Sequence, residues 1–140
     1  MNNSENIMEG KCLCGAVHIQ SKTNTEVEAC HCGMCRRWSG GPLLAIHCGT
    51  NVKIEGESNI QVFNSSAWAE RGFCRTCGTH IFYRLKHSNE YIVPAGLFQK
   101  QEGFELIEQV FIDKKPSYYE FSNKTCFLTE AEVFQKYAPK

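Results

Sequence analysis

Cys12-Leu13-Cys14-Gly15 and, much later in the chain, Cys74-Arg75-Thr76-Cys77-Gly78 are two short-spaced cysteine pairs, each closed by a glycine. Zinc binds thiolate sulfur at about 2.3 Å in tetrahedral geometry, so its ligands must converge on one point, and short-spaced cysteines in a turn achieve this with little chain. A glycine after the second cysteine can take a positive φ and let the backbone fold round the metal. Cys12, Cys14, Cys74 and Cys77 read as two arms of one clamp. Four thiolates leave no open coordination position, so such a site is structural. It would also close a long loop and add metal-binding free energy to the folding of a small chain.

A third group, Cys30-His31-Cys32-Gly33-Met34-Cys35, offers three thiolates in one segment. In extended backbone, residues two apart point the same way, so Cys30 and Cys32 share a side and His31 faces away. A turn through Gly33 brings Cys35 round. Three ligands with an open or water-filled fourth position is the pattern of a reactive zinc, to which an incoming thiol can bind and lose its proton. His31, His47 or Cys48 could instead close the site, His31 being the weakest closer on the facing argument. Spacing alone leaves other groupings open, such as Cys12, Cys14, Cys30 and Cys32 on one metal. The pairs do not follow the usual ferredoxin spacings, which favours zinc over iron–sulfur ligation.

The 140 residues match one domain in length, with residues 1–9 expected as a flexible lead, and a 42% hydrophobic fraction suffices for one core. Residues 1–10 are polar and no apolar run reaches the roughly 20 residues of a membrane-spanning helix, so a cytoplasmic protein without membrane contact is expected. Fifteen basic residues balance fifteen acidic ones, which counts against a nucleic-acid partner. Nine cysteines without an export signal read as metal ligands rather than disulfides. Alternation at Val17 and Ile19, Val52 and Ile54, and Ile81, Tyr83 and Leu85 predicts short strands, with further extended runs at 43–48, 60–63, 91–93 and 106–112. The pattern is mainly antiparallel β. One helix is expected near the end, where Thr129 and Glu132 have capping-box spacing and Val133, Phe134 and Tyr137 share a face.

Arg36 and Arg37 follow the third thiolate and suit the carboxylates of a substrate through two-pronged hydrogen bonds, or simply offset thiolate charge. Arg71 leans structural, beside the clamp. Ser39-Gly40-Gly41-Pro42 reads as a turn. Trp38, Trp68, Phe73 and Phe82 are expected mainly in the core, and Cys48 and Cys126 as buried small hydrophobes. His47, His80 and His87 offer proton-transfer chemistry without a sequence partner that singles one out.

These motifs resemble the glutathione-dependent formaldehyde-activating enzyme family, which includes centromere protein V-like proteins. The likeness runs through Gly10-Lys11-Cys12-Leu13-Cys14-Gly15-Ala16-Val17, Cys30-His31-Cys32-Gly33-Met34-Cys35-Arg36-Arg37, Arg71-Gly72-Phe73-Cys74-Arg75-Thr76-Cys77-Gly78-Thr79, Pro94-Ala95-Gly96-Leu97 and Phe111-Ile112-Asp113-Lys114-Lys115-Pro116. It departs at Phe98-Gln99-Lys100-Gln101-Glu102, which has no Asp after Gly96-Leu97, where many members carry an acidic residue. The resemblance implies a β-tent fold of small antiparallel sheets built around zinc. It puts a structural zinc on Cys12, Cys14, Cys74 and Cys77 and a second, catalytic zinc on Cys30, Cys32 and Cys35, the latter expected to exchange and to be under-occupied. It further implies a carbon–sulfur lyase of the S-(hydroxymethyl)glutathione synthase type, acting on a small thiol and an aldehyde. The competing expectation is a non-catalytic zinc module for protein–protein interaction. A homo-oligomer is compatible with either.

Overall fold

The computed structural model describes residues 7–22 and 24–137. In chain order these form strands β1 (Ile7–Lys11), β2 (His18–Lys22) and β3 (Glu26–Cys30), helix α1 (Gly33–Ser39), strands β4 (Leu43–Gly49), β5 (Val52–Glu55), β6 (Ile60–Phe63), β7 (Ala69–Cys74), β8 (His80–Leu85), β9 (Glu90–Pro94), β10 (Glu105–Val110) and β11 (Cys126–Leu128), and helix α2 (Glu130–Tyr137). The protein is mainly β with a short C-terminal helix. The described residues up to Thr25 together with Ile46–Gly103 form one compact unit, and Glu26–Ala45 with the residues from Phe104 onward form a second. No helix among the described residues is long and apolar enough to cross a membrane.

The first unit contains two antiparallel arrays, β1-β2-β5 and β6-β7-β8-β9. Strand β2 shows the alternation that a half-buried strand needs: Ile19 and Ser21 are buried while His18, Gln20 and Lys22 are exposed. Val17, Ile19, Ile46, Ile81, Val93 and Phe98 are almost wholly buried and make up the apolar core here. Residues 7–9, expected in a flexible lead, belong instead to β1, where Ile7 pairs with Lys22 and Glu9 with Gln20. The polar composition of β1 fits a strand whose side chains are largely exposed and whose backbone bonds to β2. The rest of that lead, residues 1–6, lies outside the described residues.

In the second unit the strand order is β11-β10-β3-β4. Strands β3 and β4 are antiparallel, but β10 runs parallel to both β3 and β11. The other described pairings follow the mainly antiparallel pattern read from sequence, and these two parallel ones are the part it did not mark. Parallel neighbours need long connections, and local turn signals cannot report a pairing between segments so far apart. The expected capping box is present: the Glu132 N–H donates to Thr129 Oγ1 at 3.2 Å and the Thr129 N–H to Glu132 Oε1 at 2.7 Å. Asp113 Oδ1 accepts from the Glu130 N–H at 2.9 Å, and Lys114 pairs with Glu130 at 3.3 Å. Phe111, at φ 56°, aims its ring edge-on at Phe134 of α2, 5.9 Å between centroids. The Phe111-Ile112-Asp113-Lys114 segment therefore docks α2.

Two expectations about the core are corrected. Trp68 is 50% exposed in the segment leading into β7, where the Trp68 N–H donates to Ser66 Oγ. Cys126 is exposed at the start of terminal strand β11, whereas Cys48 is buried as expected. Burial predicts the stability consequence. Ile81→Ala should lower the unfolding free energy by about 2–5 kcal/mol, while Cys126→Ser should stay within about 0.5 kcal/mol of the parent. Urea titration checks both, and similar midpoints for the two variants would contradict this assignment of the core.

Candidate metal centres and their surroundings

Two turns build the first cluster. After β1, the Gly15 N–H donates to Cys12 O at 3.1 Å and the Cys12 N–H to Val17 O at 3.0 Å. After β7, the Gly78 N–H donates to Cys74 O at 2.7 Å and the Cys74 N–H to Thr79 O at 2.8 Å. Gly15 at φ 85° and Gly78 at φ 80° take the left-handed backbone that a side chain would resist, as the sequence reading required. The sulfurs of Cys12, Cys14, Cys74 and Cys77 lie within 4.8 Å of one another. Cys12 Sγ to Cys14 Sγ is 3.6 Å and Cys14 Sγ to Cys74 Sγ is 3.7 Å. Tetrahedral zinc–thiolate geometry demands about 3.8 Å between sulfurs, so these residues fit the ion.

The surroundings are arranged for thiolates. The Val17 N–H points at Cys12 Sγ at 3.3 Å, and Asn59 Nδ2 donates to Cys74 Sγ at 3.1 Å. Thr79 Oγ1 accepts from the Leu13 N–H at 3.1 Å, which leaves its own proton for Cys77 Sγ, also 3.1 Å away. The Thr79 hydroxyl, helped by the Thr79 N–H, brings the Cys77 thiol down to about 5. Cys74 is likewise lowered, first by the Cys77 N–H. Thr79 also ties the two arms together, since it bonds Leu13 of one and Cys77 of the other. Sequence reasoning missed Asn59 and Thr79 as supports. Thr79 directly follows the Cys-x-x-Cys-Gly pattern, whereas nothing local marks Asn59.

The second cluster joins the end of β3 to α1. Cys30, Cys32 and Cys35 have their sulfurs within 4.8 Å of one another. Cys32 is extended, at φ −66° and ψ 158°, and caps α1 by accepting the Cys35 N–H on its sulfur at 3.3 Å. The helical turn that starts at Gly33 returns Cys35 to the other two. Hydrogen bonds from the Cys30 and Cys35 thiols, reinforced by the Cys35 and Met34 N–H groups, hold Cys32 down to about 2, while the same sharing pushes Cys30 up. Cys30, Cys32 and Cys35 would give up those shared protons on holding a cation, as metal binding to thiols requires. Among the described residues neither cluster includes a histidine, a carboxylate or Cys48.

His31 does turn away from the sulfurs. It is fully buried, with Nε2 2.8 Å from Gln109 Oε1 and Nδ1 2.8 Å from Tyr119 Oη. Arg36 is half-buried and its Nε donates to His31 O at 2.9 Å, while Arg37 is exposed. Arg71 is buried in the first unit, with its guanidinium 4.9 Å from the centre of the Tyr83 ring. His80, in the same unit, is half-buried and titrates below the usual histidine range through burial and the Arg71 charge. His47 is half-buried on β4, and His87 is exposed.

A small β protein with two thiol clusters of metal-binding geometry is thus defined. Residues 7–114 match the family model described as glutathione-dependent formaldehyde-activating enzyme, and the chain belongs to that family. It is 36% identical over 129 residues to an uncharacterized lyase of Schizosaccharomyces pombe, covering 91% of this chain and 94% of that one. Its fold is similar to the crystal structure of a Rhodobacter sphaeroides protein, with TM-score 0.55 and 28% identity over 66% of this chain and 88% of that one. The mainly β fold with a short C-terminal helix agrees with what the sequence motifs implied.

Opening the first cluster should affect the whole of its unit, because its two arms come from opposite ends of a long stretch of chain. Cys77→Ser is expected to give protein depleted in metal and largely insoluble, checked by elemental analysis and soluble yield. Soluble, folded Cys77→Ser with the parent's metal content would contradict the clamp.

Proposed function

We propose that the protein is an enzyme of the lyase kind that joins a small thiol, such as glutathione, to a small aldehyde, such as formaldehyde, and cleaves the same bond in reverse. The reaction is placed at Cys30, Cys32 and Cys35. What carries this reading is the convergence of those three sulfurs while His31 between them is committed to Gln109 and Tyr119. Membership of a family described as glutathione-dependent and formaldehyde-activating, and likeness to a relative named a lyase, support the choice of substrates.

In this reading each cluster holds one zinc. Cys12, Cys14, Cys74 and Cys77 surround theirs completely, and the ion stabilises the fold. Zinc held by Cys30, Cys32 and Cys35 supplies a Lewis acid that makes a neighbouring thiol acidic at neutral pH. In the addition, the thiol sulfur bonds to the aldehyde carbon and the carbonyl π pair moves to oxygen. The proton lost from sulfur ends on that oxygen, so the equation balances with no oxidant or further co-substrate. Arg37, exposed at the same helix, offers a two-pronged partner for a glutathione carboxylate. Arg36 is engaged with His31 O through Nε, and its Nη2 lies close to Gly33. A cytoplasmic setting fits, because thiols stay reduced there.

Cobalt-substituted protein titrated with glutathione tests thiol binding. The expected result is a saturable change in the cobalt–thiolate spectrum that disappears in Cys32→Ser. An unperturbed spectrum at millimolar glutathione would exclude thiol binding at this cluster. Assays with a panel of aldehydes against Cys32→Ser then test catalysis. Addition should fall to the uncatalysed rate in the variant, and equal rates for both proteins would leave the non-catalytic interaction module as the better description.

A further inference from the structure

We infer that His31, gripped by Gln109 and Tyr119, is a positioning residue that sets the sulfur geometry of the Cys30, Cys32 and Cys35 cluster. The inference rests on the reading of that cluster as a metal site.

His31 is fixed by four hydrogen bonds. Its N–H donates to Val110 O at 3.1 Å, and its carbonyl accepts from Arg36 Nε at 2.9 Å. Gln109 Nε2 donates to Thr125 Oγ1 at 3.1 Å, and Oε1 is the end of that amide facing the imidazole. An amide oxygen only accepts, so His31 carries its proton on Nε2, and Nδ1 accepts from the Tyr119 hydroxyl. Both ring nitrogens are therefore satisfied by a neutral imidazole. Gln109 is itself 3% exposed, and the Tyr119 carbonyl receives Lys115 Nζ. The chain Thr125–Gln109–His31–Tyr119 thus ties the cluster to β10 and to the segment between β10 and β11.

The mechanical consequence follows from strand geometry. His31 lies between two ligands in extended backbone, so driving its ring to one side drives Cys30 and Cys32 to the other. Three thiolates brought together repel one another, and among the described residues the cluster has no fourth cysteine to help hold its shape. A rigid support from behind lowers the cost of assembling it. Outer supports of this kind typically change metal affinity by about 10- to 100-fold. Tyr119 and Gln109 bond the His31 ring, and it is through His31 that they act on the cluster.

Tyr119→Phe removes one hydroxyl and Gln109→Leu removes the opposite partner, and neither alters a sulfur. Tyr118→Phe is the control, since the adjacent Tyr118 is 72% exposed. Cobalt affinity of each cluster is measured in competition with a chelator, alongside circular dichroism. Tyr119→Phe and Gln109→Leu should weaken cobalt at the three-cysteine cluster by about 10- to 100-fold and broaden its ligand-field bands. The four-cysteine cluster and the circular dichroism should match the parent, and Tyr118→Phe should change nothing. Parent affinity in both variants, or parallel loss from both clusters, overturns the positioning role. If the parent itself binds no cobalt at the three-cysteine cluster, the metal reading fails, and the positioning role with it.

Discussion

Everything in the first unit depends on bringing four sulfurs from two distant turns to within bonding reach of one point. Thiolates repel, and the chain between Cys14 and Cys74 must surrender loop entropy to close, so convergence needs a compensating cation and a rigid frame. The frame is visible in the structure. Gly15 and Gly78 supply left-handed corners, and Thr79 bonds across from one arm to the other. Asn59 and the Val17 N–H donate to sulfur. The apolar core of Ile19, Ile46, Ile81 and Val93 is consistent with a unit whose cysteine turns and packed strands hold one another in place.

The second cluster solves the same electrostatic problem with a smaller set of residues. Its three sulfurs come from one short segment, so little loop entropy is at stake, and the difficulty is holding three like charges together. Hydrogen bonds from backbone N–H groups to Cys32 ease that repulsion, and His31 braces the segment from the opposite side. One cluster is closed by ligand number and tied across the chain; the other is local and supported from behind. A division between structural and reactive roles is what that difference in construction favours.

Much of this was legible in sequence because it is local. Cysteine spacing and the glycines after it identified both clusters, alternation located β2, β5 and β8, extended runs located β4, β6, β9 and β10, and Thr129 with Glu132 marked the start of α2. Three kinds of feature were hidden. Strand β7, Ala69–Cys74, contains Glu70, Arg71 and Gly72, and its burial of Arg71 against Tyr83 comes from its place between β6 and β8 rather than from its own pattern. Helix α1 lacks a Ser, Thr, Asp or Asn cap because a cysteine sulfur serves instead. The parallel pairing of β10, and the Gln109 and Tyr119 partners of His31, join residues far apart in the chain. The facing argument placed His31 away from the sulfurs, but it could not say what the ring would meet.

The most direct measurement of whether the two clusters differ as described is X-ray absorption at the zinc edge of the fully loaded protein, with and without glutathione. A closed four-thiolate site beside a three-thiolate site with one lighter ligand averages about 3.5 sulfurs per zinc at about 2.3 Å, and a bound substrate thiol should raise that average to about 4. An average that stays the same when glutathione is added, or that already stands at 4 without it, would contradict an open position on Cys30, Cys32 and Cys35.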